Sequence, residues 1–140
     1  MKPAGHQKFA LAMTEFMSCP FCSLPVERIE RENELALALF DAYPVSKGHV
    51  LAIPRRHVAS AADLTEAELI AIWRLLADMR ALVSEYNAPD GFNIGLNDGS
   101  AAGQTVQHVH FHLIPRYAGD IPDPRGGVRW VLPKKARYWD

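Results

Sequence analysis

His108, His110 and His112 occupy alternate positions in the stretch Gln104-Thr-Val-Gln-His-Val-His-Phe-His-Leu-Ile-Pro-Arg116, and far upstream Cys19 and Cys22 enclose Pro20 and Phe21. In an extended segment residues two apart project from one face, so the three imidazoles line one side while Val109, Phe111 and Leu113 line the other, toward a core. The outer two imidazoles are roughly 13 Å apart at about 3.3 Å per residue. That is too far to meet on one atom, but it suits a row beside an extended ligand. Three uses of such a row stay open: a polar solvent face, a catalytic metal site of neutral imidazoles, or a nucleophile and donors for phosphate. No carboxylate lies in the stretch. The preceding loop Gly99-Ser-Ala-Ala-Gly103, with Gln104 and Thr105, offers backbone N–H, amide and hydroxyl donors, which suit phosphate better than a hard cation.

The cysteine pair has its own alternatives. A redox dithiol needs its first Cys at a helix N-terminus, where the dipole lowers the thiol pKa. Here Ser23-Leu24-Pro25 follows at once, and Pro25 cuts any helix short. Two Cys separated by two residues supply half of a tetrahedral zinc shell, which two His would complete; free reduced thiols are the competing reading. Two cysteines this close cannot staple a secreted fold.

These groups need elements to position them. Thr65 and Glu68 form a capping box, and Leu64 with Leu69 fits the hydrophobic staple around it. Leu69, Ile72, Trp73, Leu76, Met79, Val83 and Tyr86 then recur at the spacing of one buried helical face, and Asn87-Ala-Pro-Asp-Gly91 ends the helix. Before it the pattern predicts strands over about 28–32, 34–40 and 49–53. After it Phe92, Ile94 and Leu96 alternate with Asn93, Gly95 and Asn97, a half-buried strand. Strands on both sides of one principal helix imply an α+β layer, an antiparallel sheet with the helix on one face.

The chain of 140 residues is 49% apolar, enough for one domain with one core. Fifteen Lys and Arg nearly balance sixteen Asp and Glu, for a net charge of −1, so no charge excess points to nucleic acid or a membrane surface. Apolar runs such as 35–40 and 49–53 are far short of the roughly 20 residues of a membrane span. The patch 9–13 is interrupted by Thr14-Glu15 before signal-peptide length. The expectation is a cytoplasmic protein with a flexible segment over 1–18, in which His6 has no role. The end of the chain, 118–140, interleaves Arg125, Arg129, Lys134, Lys135 and Arg137 with Trp130, Tyr138 and Trp139. That composition could grip single-stranded nucleic acid. With a Gly126-Gly127 bend and a short strand over Val128 to Leu132, an arm reaching a dimer partner is preferred, and nucleic acid is not expected as a partner.

His108-Val-His-Phe-His112-Leu-Ile114 resembles the histidine-triad (HIT) signature, His-φ-His-φ-His-φ-φ. Gly48-His-Val-Leu-Ala-Ile-Pro54 resembles an earlier strand of that family, and Asn97 to Thr105 its phosphate loop. The resemblance implies a HIT domain over 19–117, with an α+β fold whose antiparallel sheet continues across a homodimer. It implies nucleotidyl transfer to water: His110 attacks the α-phosphorus, a covalent nucleotidyl-histidine forms, and hydrolysis releases a nucleoside monophosphate. A neutral imidazole is a competent nucleophile near pH 7, and two steps lower each barrier. His112 would bond phosphate or leaving-group oxygens. Asp41 matches the residue that holds the ribose hydroxyls, although a turn-forming Asp before Pro44 is the plainer reading. Asn97, Gly103, Gln104, Thr105 and the Val106 backbone match positions that hold the α-phosphate, where donors stabilise equatorial charge.

The zinc-bearing bacterial branch of the family completes Cys19 and Cys22 with His57 and His108, which would make a closed structural zinc site and lock the strand presenting His110. No organic cofactor is expected. His49 is assigned to a buried polar network near the triad. The implied substrates carry an AMP moiety, with dinucleoside polyphosphates first and nucleoside phosphoramidates second. A non-catalytic nucleotide-binding module and a His-based metalloenzyme are the readings outside that class.

Overall fold

Thr65 accepts the backbone N–H of Glu68 while the Glu68 carboxylate accepts that of Thr65, which satisfies two donors left open at a helix start. From this box helix α1 runs over Glu66–Asn87 and stops where Ala88 turns left-handed before Pro89. The computed structural model in which this is seen describes residues 18–140. The expected flexible segment, apart from Ser18, and His6 with it, lie outside the described residues.

The buried stripe of α1 is Glu68, Ala71, Ile72, Leu75, Leu76, Met79 and Val83, whereas Leu69, Trp73 and Tyr86 are exposed. The sequence spacing therefore predicted the helix but part of the wrong face. Arg56 explains the turn of the stripe: its guanidinium donates to both oxygens of Glu68, at 2.8 and 3.2 Å, and draws that position inward.

Among the described residues five strands form one antiparallel sheet: β1 (Arg31–Glu32), β2 (Ala36–Phe40), β3 (Val50–Pro54), β4 (Gly91–Gly95) and β5 (Phe111–Arg116), in the order β1-β2-β3-β5-β4. The first strand is shorter than expected. Pro25 and Val26 carbonyls accept the N–H groups of Arg28 and Ile29, so a 3-10 turn over Val26–Arg28 uses backbone donors that a strand would need for its ladder. The expected strand over Val128 to Leu132 is instead a 3-10 turn, Gly127–Val131, followed by helix α2, Pro133–Ala136. Gly126 and Gly127 both have positive φ, and the Arg129 guanidinium donates to the Lys135 and Ala136 carbonyls. These bonds curl the arm onto itself against its strand propensity.

Both faces of the central strands are covered, which is why β2 and β3 read as continuous apolar runs. On the α1 side Ala36, Ala38, Val50, Ala52, Val109, Phe111 and Leu113 pack against Ile72, Leu75, Leu76, Met79 and Val83. On the opposite side Leu37, Leu39, Leu51 and Ile53 make a second cluster with Phe21, Leu24 and Ile29. The histidines lie on this second side, where β5 sets His112 opposite Leu51 of β3 and Gly95 of β4. Among the described residues no helix is long and apolar enough to cross a membrane.

Candidate active site

Phe111 and Leu113 of β5, with Val109 in the segment just before it, pack in the α1-side core, and the intervening imidazoles point to the other side. That side is no solvent face: His108 is fully buried and His110 is 8% exposed. His108 and His110 each have one ring nitrogen against a backbone carbonyl, and His112 has Nδ1 against the His49 ring; these contacts decide which nitrogen carries the proton.

A carbonyl oxygen only accepts, so a ring nitrogen bonded to it must donate. His110 Nδ1 lies 2.8 Å from the His108 carbonyl, so Nδ1 is protonated and Nε2 holds the lone pair. His108 Nε2 lies 2.8 Å from the Pro54 carbonyl, so Nε2 is protonated and the lone pair is on Nδ1. His49 Nδ1 accepts the Val45 N–H at 3.1 Å, so its proton is on Nε2, which donates to His112 Nδ1 at 2.9 Å. His112 consequently carries its own proton on Nε2. Burial holds His49 below its ordinary pKa, opposed by the Asp41 carboxylate. Burial, with His110 and His49 alongside, brings His112 down to about 4. Both are neutral at pH 7, as the donor pattern requires.

His110 and His112 border a cleft of about 600 Å³. Its apolar wall includes Phe21, Leu24, Leu39 and Leu51; Asp41, Asn97, Gly103, Thr105 and Val106 border it as well. Asp41 does two things: Oδ1 accepts the Tyr43 N–H at 2.9 Å, closing the turn, and Oδ2 lies 3.6 Å from His49 Nε2. Gln104 is elsewhere. Its side chain is buried, accepting the Gly99 N–H at 2.8 Å and donating to the Ala59 and Val106 carbonyls at 2.7 and 3.1 Å. Its amide thus ties the loop together and does not border the cleft. Sequence reasoning missed Arg28, whose guanidinium donates to the Phe40 carbonyl at the cleft rim, and gave Phe21 no role. The position of Phe21 between two candidate metal ligands was the available signal.

A second cavity of about 390 Å³ lies beyond His112 and Asn97, which border both spaces. Val45, Ile94 and Ile114, with Val128 and Val131 from the arm, form its apolar walls.

The described residues hold a Cys19, Cys22, His57, His108 cluster whose ligand atoms lie within 4.8 Å of one another. The Sγ atoms of Cys19 and Cys22 are 3.5 and 3.6 Å from His108 Nδ1, and Cys22 Sγ is 3.2 Å from His57 Nδ1. A tetrahedral zinc ion with Zn–S of about 2.3 Å and Zn–N of about 2.0 Å separates S from N by about 3.5 Å, so the donor set fits that ion. His108 presents its lone-pair nitrogen to the cluster. Without a cation, burial and the adjacent Cys19 thiol push Cys22 up to about 12, and a bound cation reverses that order by favouring thiolate. Asp41, His49 and His112 also gather their ligand atoms within 4.8 Å. There the proton on His49 Nε2, fixed by the Val45 N–H, occupies the lone pair a metal would need.

The chain resembles known proteins in sequence and in fold. The chain is 43% identical over 89 residues to the bis(5'-adenosyl)-triphosphatase of Dictyostelium discoideum, covering 64% of this chain and 60% of that one. It is 33% identical over 107 residues to the AP-4-A phosphorylase of Mycobacterium tuberculosis, covering 72% of this chain and 55% of the relative. The chain thus spans little more than half the length of these two relatives. A zinc-bound histidine triad family protein from Mycobacterium smegmatis superposes with a TM-score of 0.68 at 35% identity, over 77% of this chain and 86% of that chain. The HIT domain family model matches residues 27–119, and with the alternating imidazoles and the five-stranded sheet around them this chain belongs to the HIT domain family.

Proposed function

We propose that the protein is a nucleotidyl hydrolase that cleaves adenosine-type dinucleoside polyphosphates at the α-phosphate through a covalent nucleotidyl-His110 intermediate. The observation that carries this reading is the His110 tautomer: the His108 carbonyl holds the proton on Nδ1 and leaves the Nε2 lone pair to the cleft. In the first step Nε2 bonds to phosphorus as the bond to the leaving oxygen breaks, and His112 Nε2–H donates a hydrogen bond to that oxygen as charge gathers on it. In the second step water bonds to phosphorus, the P–N bond breaks, His110 returns to its neutral form, and the proton from water leaves to solvent. Phe21, Leu24, Leu39 and Leu51 would enclose the base, Asp41 would hold the ribose, and Asn97 with the 103–106 backbone would hold the phosphate.

The metal cluster supports the same site from behind. We assign a structural zinc ion to Cys19, Cys22, His57 and His108, which anchors the segment leading into His110. The protein acts as a homodimer in this reading, since β4 is an edge of the sheet and its ladder can continue into a second copy.

One observation favours a second reading. The cavity beyond His112 has apolar walls, which suit the organic leaving group of a nucleoside phosphoramidate. Incubating purified protein with diadenosine triphosphate and with an adenosine phosphoramidate, then identifying products, separates the two. Rapid quench should trap an acid-labile nucleotidyl adduct with wild type and none with His110→Ala. Binding of AMP with no adduct and no turnover of either substrate would leave a non-catalytic nucleotide-binding module, and turnover retained by His110→Ala would remove the nucleophile.

A further inference from the structure

The turn Cys19-Pro20-Phe21-Cys22 has a ligand at each end of the metal cluster and one large apolar side chain between them. Phe21 is in ring contact with members of both sites. Its centroid is 5.7 Å from the ring of His108, edge-on at 80°, and 5.3 Å from that of His110 at 56°. It also lines the nucleotide cleft and packs against the Leu37, Leu39, Leu51 and Ile53 cluster. Within the turn the Ser23 N–H reaches the Cys19 carbonyl at 3.2 Å, and at its two ends the sulfurs face the metal cluster.

Resting on the reading of this cleft as a nucleotide site, we infer that Phe21 is a positioning residue that couples occupancy of the Cys19, Cys22, His57, His108 cluster to nucleotide affinity. A cation gripping both sulfurs fixes both ends of the turn and leaves its central ring one position, against His110 and over the cleft wall. With thiols in place of metal-bound thiolates the ends loosen, and the ring that should meet the nucleotide is one of several conformers. Nucleotide binding then has to select the competent conformer, which weakens the apparent affinity. Linkage requires the effect to run both ways, so a nucleotide that holds Phe21 in place tightens metal binding by the same factor.

The test is a binding cycle with Zn²⁺ and AMP as probes. Calorimetry on zinc-loaded and chelated wild-type protein, with circular dichroism to verify that both are folded, should give at least about fivefold tighter AMP binding with zinc. In Phe21→Ala both ligands should still bind, with the zinc-to-chelated affinity ratio near one. Should the chelated protein unfold, the same question is put to protein loaded with ¹¹³Cd²⁺. AMP should then shift the cadmium resonance in wild type and leave it in place in Phe21→Leu. A ratio of one in wild type, or an undiminished ratio or cadmium shift in the Phe21 variants, overturns the coupling. Zinc-loaded protein that does not bind AMP at all instead overturns the nucleotide reading on which the coupling rests.

Discussion

His49 Nε2 lies 2.9 Å from His112 Nδ1, and this single contact decides which nitrogen of His112 can face a ligand. The Val45 N–H fixes the His49 proton on Nε2, His49 passes the constraint across the ring pair, and His112 is left with Nε2–H as a donor. His110, held by a carbonyl, is left with Nε2 as an acceptor. Adjacent imidazoles on one face of one segment thus carry opposite hydrogen-bonding character. The difference comes from backbone groups, with no charge involved.

Removing His49 frees the His112 tautomer. His49→Ala should lower kcat by about 10- to 100-fold, the usual cost of losing a group that orients a functional imidazole, with little change in KM. Long-range ¹⁵N–¹H spectra should then show a proton on His112 Nδ1 in part of the population. An unchanged kcat with a mixed tautomer would mean that the donor on His112 does not matter to the rate.

Stability should fall with pH before the carboxylates titrate. The His112 pKa is lowered from 6.5 to about 4 by burial and by His110 and His49, with Asp41 opposing. Between those values the unfolded chain takes up a proton that the folded one refuses, so stability is lost as pH falls through this window. The full effect is on the order of 3 kcal/mol below pH 4. Urea melts at pH 7 and pH 4.5 should differ by more in wild type than in His112→Gln. Equal differences would mean that His112 titrates normally in the fold.

How much of this was legible beforehand depends on the range of the interaction. The capping box at Thr65 and Glu68 and the alternation of His108, His110 and His112 are local, and both are present in the structure. The buried face of α1 was only partly legible, because Arg56 pulls Glu68 inward and exposes Leu69 and Trp73, and that contact spans twelve residues. The arm over 127–136 has strand propensity, but positive-φ glycines and an arginine bridging two carbonyls override it. At the site, composition could nominate donors but not tautomers, since these depend on Pro54, Val45 and His108 backbone groups. Gln104 stood in the phosphate loop by position, and only the fold shows its amide turned inward.

Gln104 should therefore act on the loop and not on the nucleotide directly. Gln104→Ala leaves the Gly99 N–H and the Ala59 carbonyl, both on exposed residues, without their partner, at about 1 kcal/mol for each hydrogen bond lost. Thermal unfolding should drop accordingly, and the 99–106 amides should exchange faster with solvent. Turnover should fall because Gly103, Thr105 and Val106 lose their fixed position. Thr105→Ala, at an exposed side chain, should leave unfolding unchanged, so the pair separates loop anchoring from contact. Undisturbed amide exchange in Gln104→Ala would show the loop to be held some other way.

The metal prediction is the most direct, because the donor geometry is already formed. Protein purified without chelator should carry about one zinc per chain, bound by two thiolates and two imidazoles. Cys22→Ser replaces a ligand whose sulfur lies close to both imidazoles, and His57→Ala removes one of those imidazoles. Each should release most of the metal. Ligand binding adds to folding free energy by mass action, so chelation should lower Tm by on the order of 10 °C. His112→Ala should keep its zinc, because His112 faces the cleft and its ring nitrogen is tied to His49. The three variants together distinguish a metal centre from a fold that merely needs intact histidines. Should Cys22→Ser and His57→Ala melt like wild type whether or not chelator is added, the cluster is a buried thiol–imidazole contact and no metal site.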